Sequence, residues 1–153
     1  MNLIEATIEA LKGKLIESNE IFPNSKIDCI VYHGTNNNFD EFDIKHRTKN
    51  GKMYGDGIYF TSDIEQAKKY TTNGTILKGY INIENPFYIG HQESLEYAIR
   101  KENPYQVADI YNRNGAVVSS KITSYLISRG YDGINIEDKM FVIFDKDQFR
   151  RSE

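Results

Sequence analysis

Two apolar runs near the C-terminus, Ile134-Asn135-Ile136 and Phe141-Val142-Ile143-Phe144, are separated only by Glu137 to Met140. So short a connection has no room for a crossover helix, and a tight antiparallel hairpin is predicted. The other strand-like runs are dispersed along the chain: Ile27 to His33, Ile58 to Thr61, Thr75 to Ile83 and Phe87 to Ile89. They do not alternate with helices in a βαβα order, so a Rossmann sheet is excluded and the class predicted is α+β. Gly55-x-Gly57 has neither the third glycine nor the following helix of a dinucleotide fingerprint.

Helical periodicity fills the gaps. Ile4, Ile8, Leu11 and Leu15 share one face, which predicts an amphipathic helix over residues 2–18. Such a helix closes the back of its own domain or docks a partner. Ser62-Asp63-Ile64-Glu65 has the form of a capping box and should open a helix that carries Ala67 and, near its last turn, Tyr70. Residues 92–129 read as an interrupted helical insertion before the hairpin. One helix holds Leu95, Ala98 and Ile99; a second holds Val107, Ile110 and Tyr111 and ends near Asn114-Gly115. A third holds Val118, Ile122, Tyr125 and Leu126, with Gly130 as its left-handed C-terminal residue. Residues 34–57 are mostly loop, with Phe39 and Phe42 as anchors and a basic stretch, Lys45 to Lys52, as a flap beside the site. Arg150 to Glu153 is expected to fray.

Composition narrows the function classes. At 153 residues the chain is read as one domain, 1–153, with a hydrophobic content of 39% and a charged content of 27%. A net charge of −3 gives no bulk reason to expect nucleic-acid binding. No apolar run approaches the ~20 residues of a membrane span, and acids within the N-terminal pattern argue against a signal peptide. The lone Cys29 lies in an apolar run and reads as a buried small hydrophobe, compatible with a reducing cytosol. His46 and His91 have no ligand spacing with each other or with Cys29, so no metal is assigned. Eleven Tyr and eight Phe, with no Trp, suggest a cleft lined by phenols.

The cleft is placed between Val31-Tyr32-His33-Gly34-Thr35 and Gly55-Asp56-Gly57-Ile58-Tyr59-Phe60-Thr61. A histidine at a strand end followed by glycine can bring a ring nitrogen and a bare backbone into one place. Tyr59 and Tyr70 could add two ring faces, which suits a flat, amide-bearing ring. On residue types alone the bland alternative stands beside this one: an interior histidine and two core tyrosines.

The order and spacing of these residues resemble the catalytic domain of ADP-ribosyltransferases. The closest likeness is to the His-Tyr-Glu branch, of diphtheria-toxin and poly(ADP-ribose)-polymerase type, and to its small bacterial and phage members. The likeness spans about residues 28–149 and is weakest over 90–125. Gly130-Tyr131-Asp132-Gly133-Ile134 and Phe141-Val142-Ile143-Phe144-Asp145 resemble the C-terminal hairpin of those proteins. The resemblance implies a split antiparallel sheet, with an N-terminal helix over 1–20 and an NAD-binding core over 28–149. It implies NAD as substrate: His33 on the adenosine ribose, the Gly34 backbone on the carboxamide with Thr35 beside it, and Tyr59 and Tyr70 around the nicotinamide. A macromolecular acceptor, most simply a protein, would receive a single ADP-ribose in a bacterial or phage-infected cytoplasm. A toxin-like role, an NAD glycohydrolase and a non-catalytic inhibitory module are alternatives.

Two positions depart from the family pattern. The serine common three residues before the second tyrosine is Ala67, so its amide contact would pass to Thr61 or water. The glutamate expected at the start of the last strand is Met140. Cleavage of the nicotinamide–ribose bond builds positive charge on the ribose, which a fixed anion stabilises. The acid could come from the hairpin, as Asp138 or Glu137, or from elsewhere, such as Glu84, or transfer could be lost. Strict alternation from Ile134 and Ile136 turns Glu137 outward and Asp138 inward, so Asp138 ranks first. The catalytic set implied is Asp138, Glu137 and Tyr59.

Overall fold

The computed structural model describes residues 2–8, 20–35, 54–105 and 107–152. Phe39, Phe42, His46, the basic stretch and the helix predicted over 2–18 beyond residue 8 lie outside them. Seven strands form one sheet: β1 (Val31–Gly34), β2 (Ile58–Thr61), β3 (Ile76–Ile81), β4 (Pro86–Ile89), β5 (Gly133–Ile136), β6 (Met140–Ile143) and β7 (Phe149–Arg151). Their spatial order is β4-β5-β6-β2-β1-β3-β7. Among the described residues the helices are α1 (Ile64–Lys68), α2 (Leu95–Glu102) and α3 (Ser119–Ser128), with a further helical stretch over 3–8. The α+β class and the hairpin stand. One pairing the sequence did not reveal is parallel: β4 runs alongside β5, Pro86 facing Gly133 and Ile89 facing Ile136.

Alternation divides the sheet between two cores. Val142, Ile134, Ile136, Phe87 and Ile89 meet Leu95, Ala98 and Ile99 of α2, Ile110, and Ile122, Tyr125 and Leu126 of α3. Phe141 and Ile143, flanking Val142 on β6, and Ile58 and Phe60 of β2 join Ile27, Val31, Ile81 and Ile83 on the other face. The helical insertion is therefore the cover of one face, and its period of 3.6 was imposed by that face. Val107–Ile110 is a short 3-10 turn rather than an α-helix, and the following loop is closed by a bridge between Tyr111 and Val117.

The sheet is split at one seam. β1 and β3 pair along four positions and β2 and β6 along four, but β1 and β2 meet only at Tyr32 and Thr61. Past that contact the two halves separate, and the opening lies beside His33, Gly34 and Tyr59.

Two local expectations are corrected. The N-cap of α1 is Asp63, whose side chain accepts from the Glu65 N–H, while Ser62 serves the hairpin instead. The C-terminus does not fray over 150–152: Arg150 and Arg151 pair with Tyr80 and Gly79, and the Ser152 N–H bonds the Lys78 carbonyl.

Candidate functional site

His33 sits at the end of β1, half-buried, with its ring against Phe60 at 5.5 Å between centroids. Its Nδ1 is 2.6 Å from the Tyr59 carbonyl across the seam. A carbonyl only accepts, so Nδ1 carries the proton. Burial pushes the imidazole below its ordinary range, opposed by that same bond, and so favours the neutral ring. The neutral ring with Nδ1 protonated presents Nε2 as an acceptor, the form suited to a hydroxyl donor.

Gly34 is required by packing. A β-carbon there would lie 2.0 Å from the Ala67 carbonyl oxygen and 3.4 Å from the Tyr70 Cβ. The missing side chain lets the end of α1 close on β1, which brings Tyr70 beside the His33-Gly34 strand end. The Thr35 N–H bonds the Thr75 carbonyl, one residue before β3. Antiparallel alternation then turns the N–H and C=O of Gly34 the other way, into the seam. Thr35 is buried, and its carbonyl accepts from the Thr71 hydroxyl, which ties the strand end to the segment after α1.

Tyr59 is fixed at both ends. Its hydroxyl donates to the Gly55 carbonyl at 2.6 Å and accepts from the Tyr54 N–H at 2.8 Å, while its ring packs against the helix-covered core. The Gly55 turn needs its glycine, at φ +85°, and the Asp56 N–H bonds the Thr123 hydroxyl of α3. Tyr70 is 52% exposed, so one ring is anchored and the other faces outward.

The β5–β6 turn closes the far end of β2. Met140 faces Thr61 on one side and Ile136 on the other, and packs against the helix-covered core. The Thr61 hydroxyl donates to the Lys139 carbonyl and accepts from the Asp63 N–H, so it is committed to the turn rather than open to an amide ligand. The Ser62 N–H also bonds the Lys139 carbonyl, at 3.0 Å. Glu137 and Asp138 take φ of +58° and +59°, left-handed values unusual for two successive non-glycine residues. The Glu137 carboxylate lies 2.7 Å from His91 Nδ1, toward the β4 edge. The Asp138 carboxylate accepts from Asn135 Nδ2 at 2.9 Å. Glu84 sits next to Asp132, at the opposite end of β5 from this turn. Sequence reasoning took Asn135 only as part of a strand and weighed His91 only as a metal ligand; a lone asparagine between two core isoleucines was the signal for the first.

Cys29 packs against the second core, and burial pushes its thiol up, away from nucleophilic use. No cluster of His, Cys, Asp and Glu among the described residues could hold a metal, and no helix among them is long and apolar enough to cross a membrane.

The family model for the ADP-ribosyltransferase in polyvalent proteins matches residues 28–152. No curated protein matches the chain. The chain belongs to this ADP-ribosyltransferase family.

Proposed function

We propose that, as a member of this family, the chain is an NAD-dependent mono-ADP-ribosyltransferase of the His-Tyr-Glu type with its acid moved from the last strand into the preceding turn. The observation that carries this is the seam, where the His33 imidazole, the Gly34 backbone and the end of α1 with Tyr70 border one opening beside a split in the sheet. Neutral His33 would accept from a ribose hydroxyl through Nε2. The Gly34 N–H and C=O would take the two ends of the carboxamide, with Thr35 fixing the strand end. Tyr59 and Tyr70 would flank the nicotinamide ring. The C–N bond to the ribose breaks and its electron pair leaves with nicotinamide. An acceptor nucleophile forms the new bond to that carbon and gives up its proton. Asp138 would hold the ribose hydroxyl and offset the charge that develops on the ring.

Asp138 is favoured over Glu137 because the Glu137 carboxylate is engaged by His91 at the β4 edge. The acceptor is a macromolecule, most simply a protein, in the cytoplasm of a bacterial or phage-infected cell. Incubation with labelled NAD and a bacterial lysate should label a discrete band that His33→Ala abolishes. No label, together with no nicotinamide release at high enzyme concentration, would reject transfer. Nicotinamide release without a labelled macromolecule would make water the acceptor and the chain a glycohydrolase.

One observation favours a second reading. Met140, where an acid is expected, packs against the apolar core. A non-catalytic module that binds a partner protein would need no acid there. Its partner would bind equally well without NAD and to the His33→Ala chain.

A further inference from the structure

Asn135 occupies an unusual place. It is 3% exposed in the middle of β5, and its strand neighbours Ile134 and Ile136 are core residues. Its partner across the hairpin is Phe141, a member of the second core. A primary amide is costly in such surroundings unless both ends are bonded. Both ends of this one go to a single residue. The Asp138 N–H donates to Asn135 Oδ1 at 2.8 Å, and Asn135 Nδ2 donates to Asp138 Oδ1 at 2.9 Å. The first bond fixes which end of the amide is which, since only oxygen can accept from an N–H.

The residue so held is itself in an unfavourable backbone state. Tight hairpin turns that need positive φ are ordinarily built with Asn-Gly or Asp-Gly. Here Glu137-Asp138 fills those positions at φ +58° and +59°. Left-handed geometry at a non-glycine residue costs on the order of 1 kcal/mol and persists only where the surroundings over-determine it. Two fixtures do so. Thr61 and Ser62 bind the Lys139 carbonyl from the β2 side. Asn135 binds Asp138 from the β5 side. Both act on the turn itself, beyond the four register positions through which β5 and β6 pair.

We infer that Asn135 is a positioning residue for Asp138: it holds the backbone N–H and one carboxylate oxygen, which leaves Oδ2 as the oxygen available to the reaction. The inference rests on Asp138 being the acid of the proposed transferase. Asn135 is not a catalytic residue, since it works through its neighbour.

The test uses the full chain and NAD alone, with nicotinamide release as the readout at high enzyme concentration. Asp138→Asn should remove release. Asn135→Ala should lower kcat about tenfold or more with KM within about threefold, and should add nothing in the Asp138→Asn background. Asn135→Asp keeps the acceptor for the Asp138 N–H and so preserves the turn, but sets a second carboxylate against the first. The acid limb of its pH–rate profile should move upward by about one unit or more, because like charges resist joint ionisation. Full release by Asp138→Asn would overturn the assignment of the acid, and this inference with it. Loss in Asp138→Asn combined with wild-type kcat in Asn135→Ala and an unmoved acid limb in Asn135→Asp would overturn the role of Asn135 alone. If Asn135→Ala fails to fold, the acid limb of Asn135→Asp decides.

Discussion

His33 is the residue on which the site is most sharply expressed, and its behaviour can be signed. Burial lowers its proton affinity in the folded chain, whereas in the unfolded chain it titrates near its ordinary value of about 6.5. As pH falls below that value, the unfolded chain takes up a proton that the folded chain resists. Stability therefore falls with pH until the folded-state value is passed, below which the full loss remains. The urea midpoint should drop between pH 7 and pH 5.5 by more in the wild type than in His33→Asn, whose side chain does not titrate. An equal drop in both would remove His33 from the account. At neutral pH His33→Ala strips the Tyr59 carbonyl of its ring partner and should cost about 1–3 kcal/mol. Gly34→Ala should be worse placed still, because the new methyl group would meet backbone oxygen at 2.0 Å rather than a side chain that can rotate. Overpacking of this kind costs about 1–3 kcal/mol, and here it would lift α1 and Tyr70 from the strand end. His33 and Gly34 were picked out by their order and spacing with Tyr59 and Tyr70, through the family resemblance, since a His-Gly pair closing an apolar run is by itself equally an interior histidine. The Nδ1 bond was not legible, since it depends on where a strand twenty-six residues away ends up.

At the scale of elements, the β5–β6 hairpin and its tie to β2 carry the most consequence. The hairpin itself followed from the shortness of its connection. Which acid faces which way did not, because alternation applies to extended residues and fails where two consecutive residues turn left-handed. The S-x-x-E pattern misled for a related reason. Asp63 stands one position nearer the helix and takes the cap, which frees Ser62 to bond the turn. Thr61 is the hinge of this arrangement, with one hydroxyl serving both Lys139 and Asp63. Thr61→Val keeps the shape and removes both bonds. It should cost about 0.5–1.5 kcal/mol by urea unfolding, since the Asp63 N–H loses its acceptor and the Lys139 carbonyl one of its two donors. It should also lower nicotinamide release more than Thr61→Ser, which retains the hydroxyl; equal release from the two would mean that the turn does not depend on this tie.

At the scale of the molecule, the split seam makes the sheet two half-sheets, β4-β5-β6-β2 and β1-β3-β7, joined at one backbone contact. Other links must hold the halves in place, and the C-terminal segment supplies them. Gln148 accepts from the N–H groups of Phe144 and Asp145 with its oxygen, and donates to the carbonyls of Asn82 and Asp132 with its nitrogen. It thus joins the end of the hairpin half to the end of β3. Phe149 stacks on Phe60 of β2 at 5.0 Å while its own strand pairs with β3. None of this was visible from the sequence, where a short Phe-Arg-Arg-Ser tail after a hairpin has the composition of a loose end. The contrast lies at the other terminus. Ile4 and Ile8 are 72% and 45% exposed, although their spacing is that of a core-facing helix. The two termini therefore predict opposite outcomes. Ile4→Gln should shift stability by no more than about 0.5 kcal/mol, as surface substitutions do. Ending the chain after Asp147 removes the four side-chain hydrogen bonds of Gln148, the Phe149 ring and one edge strand together, and leaves the second core, the Tyr32–Thr61 contact and the His33 bond to join the two half-sheets. The shortened chain should lose cooperative unfolding, or melt at least about 10 °C lower, in a calorimetric scan. A transition unchanged from the full chain would mean that the seam is held by the two cores alone.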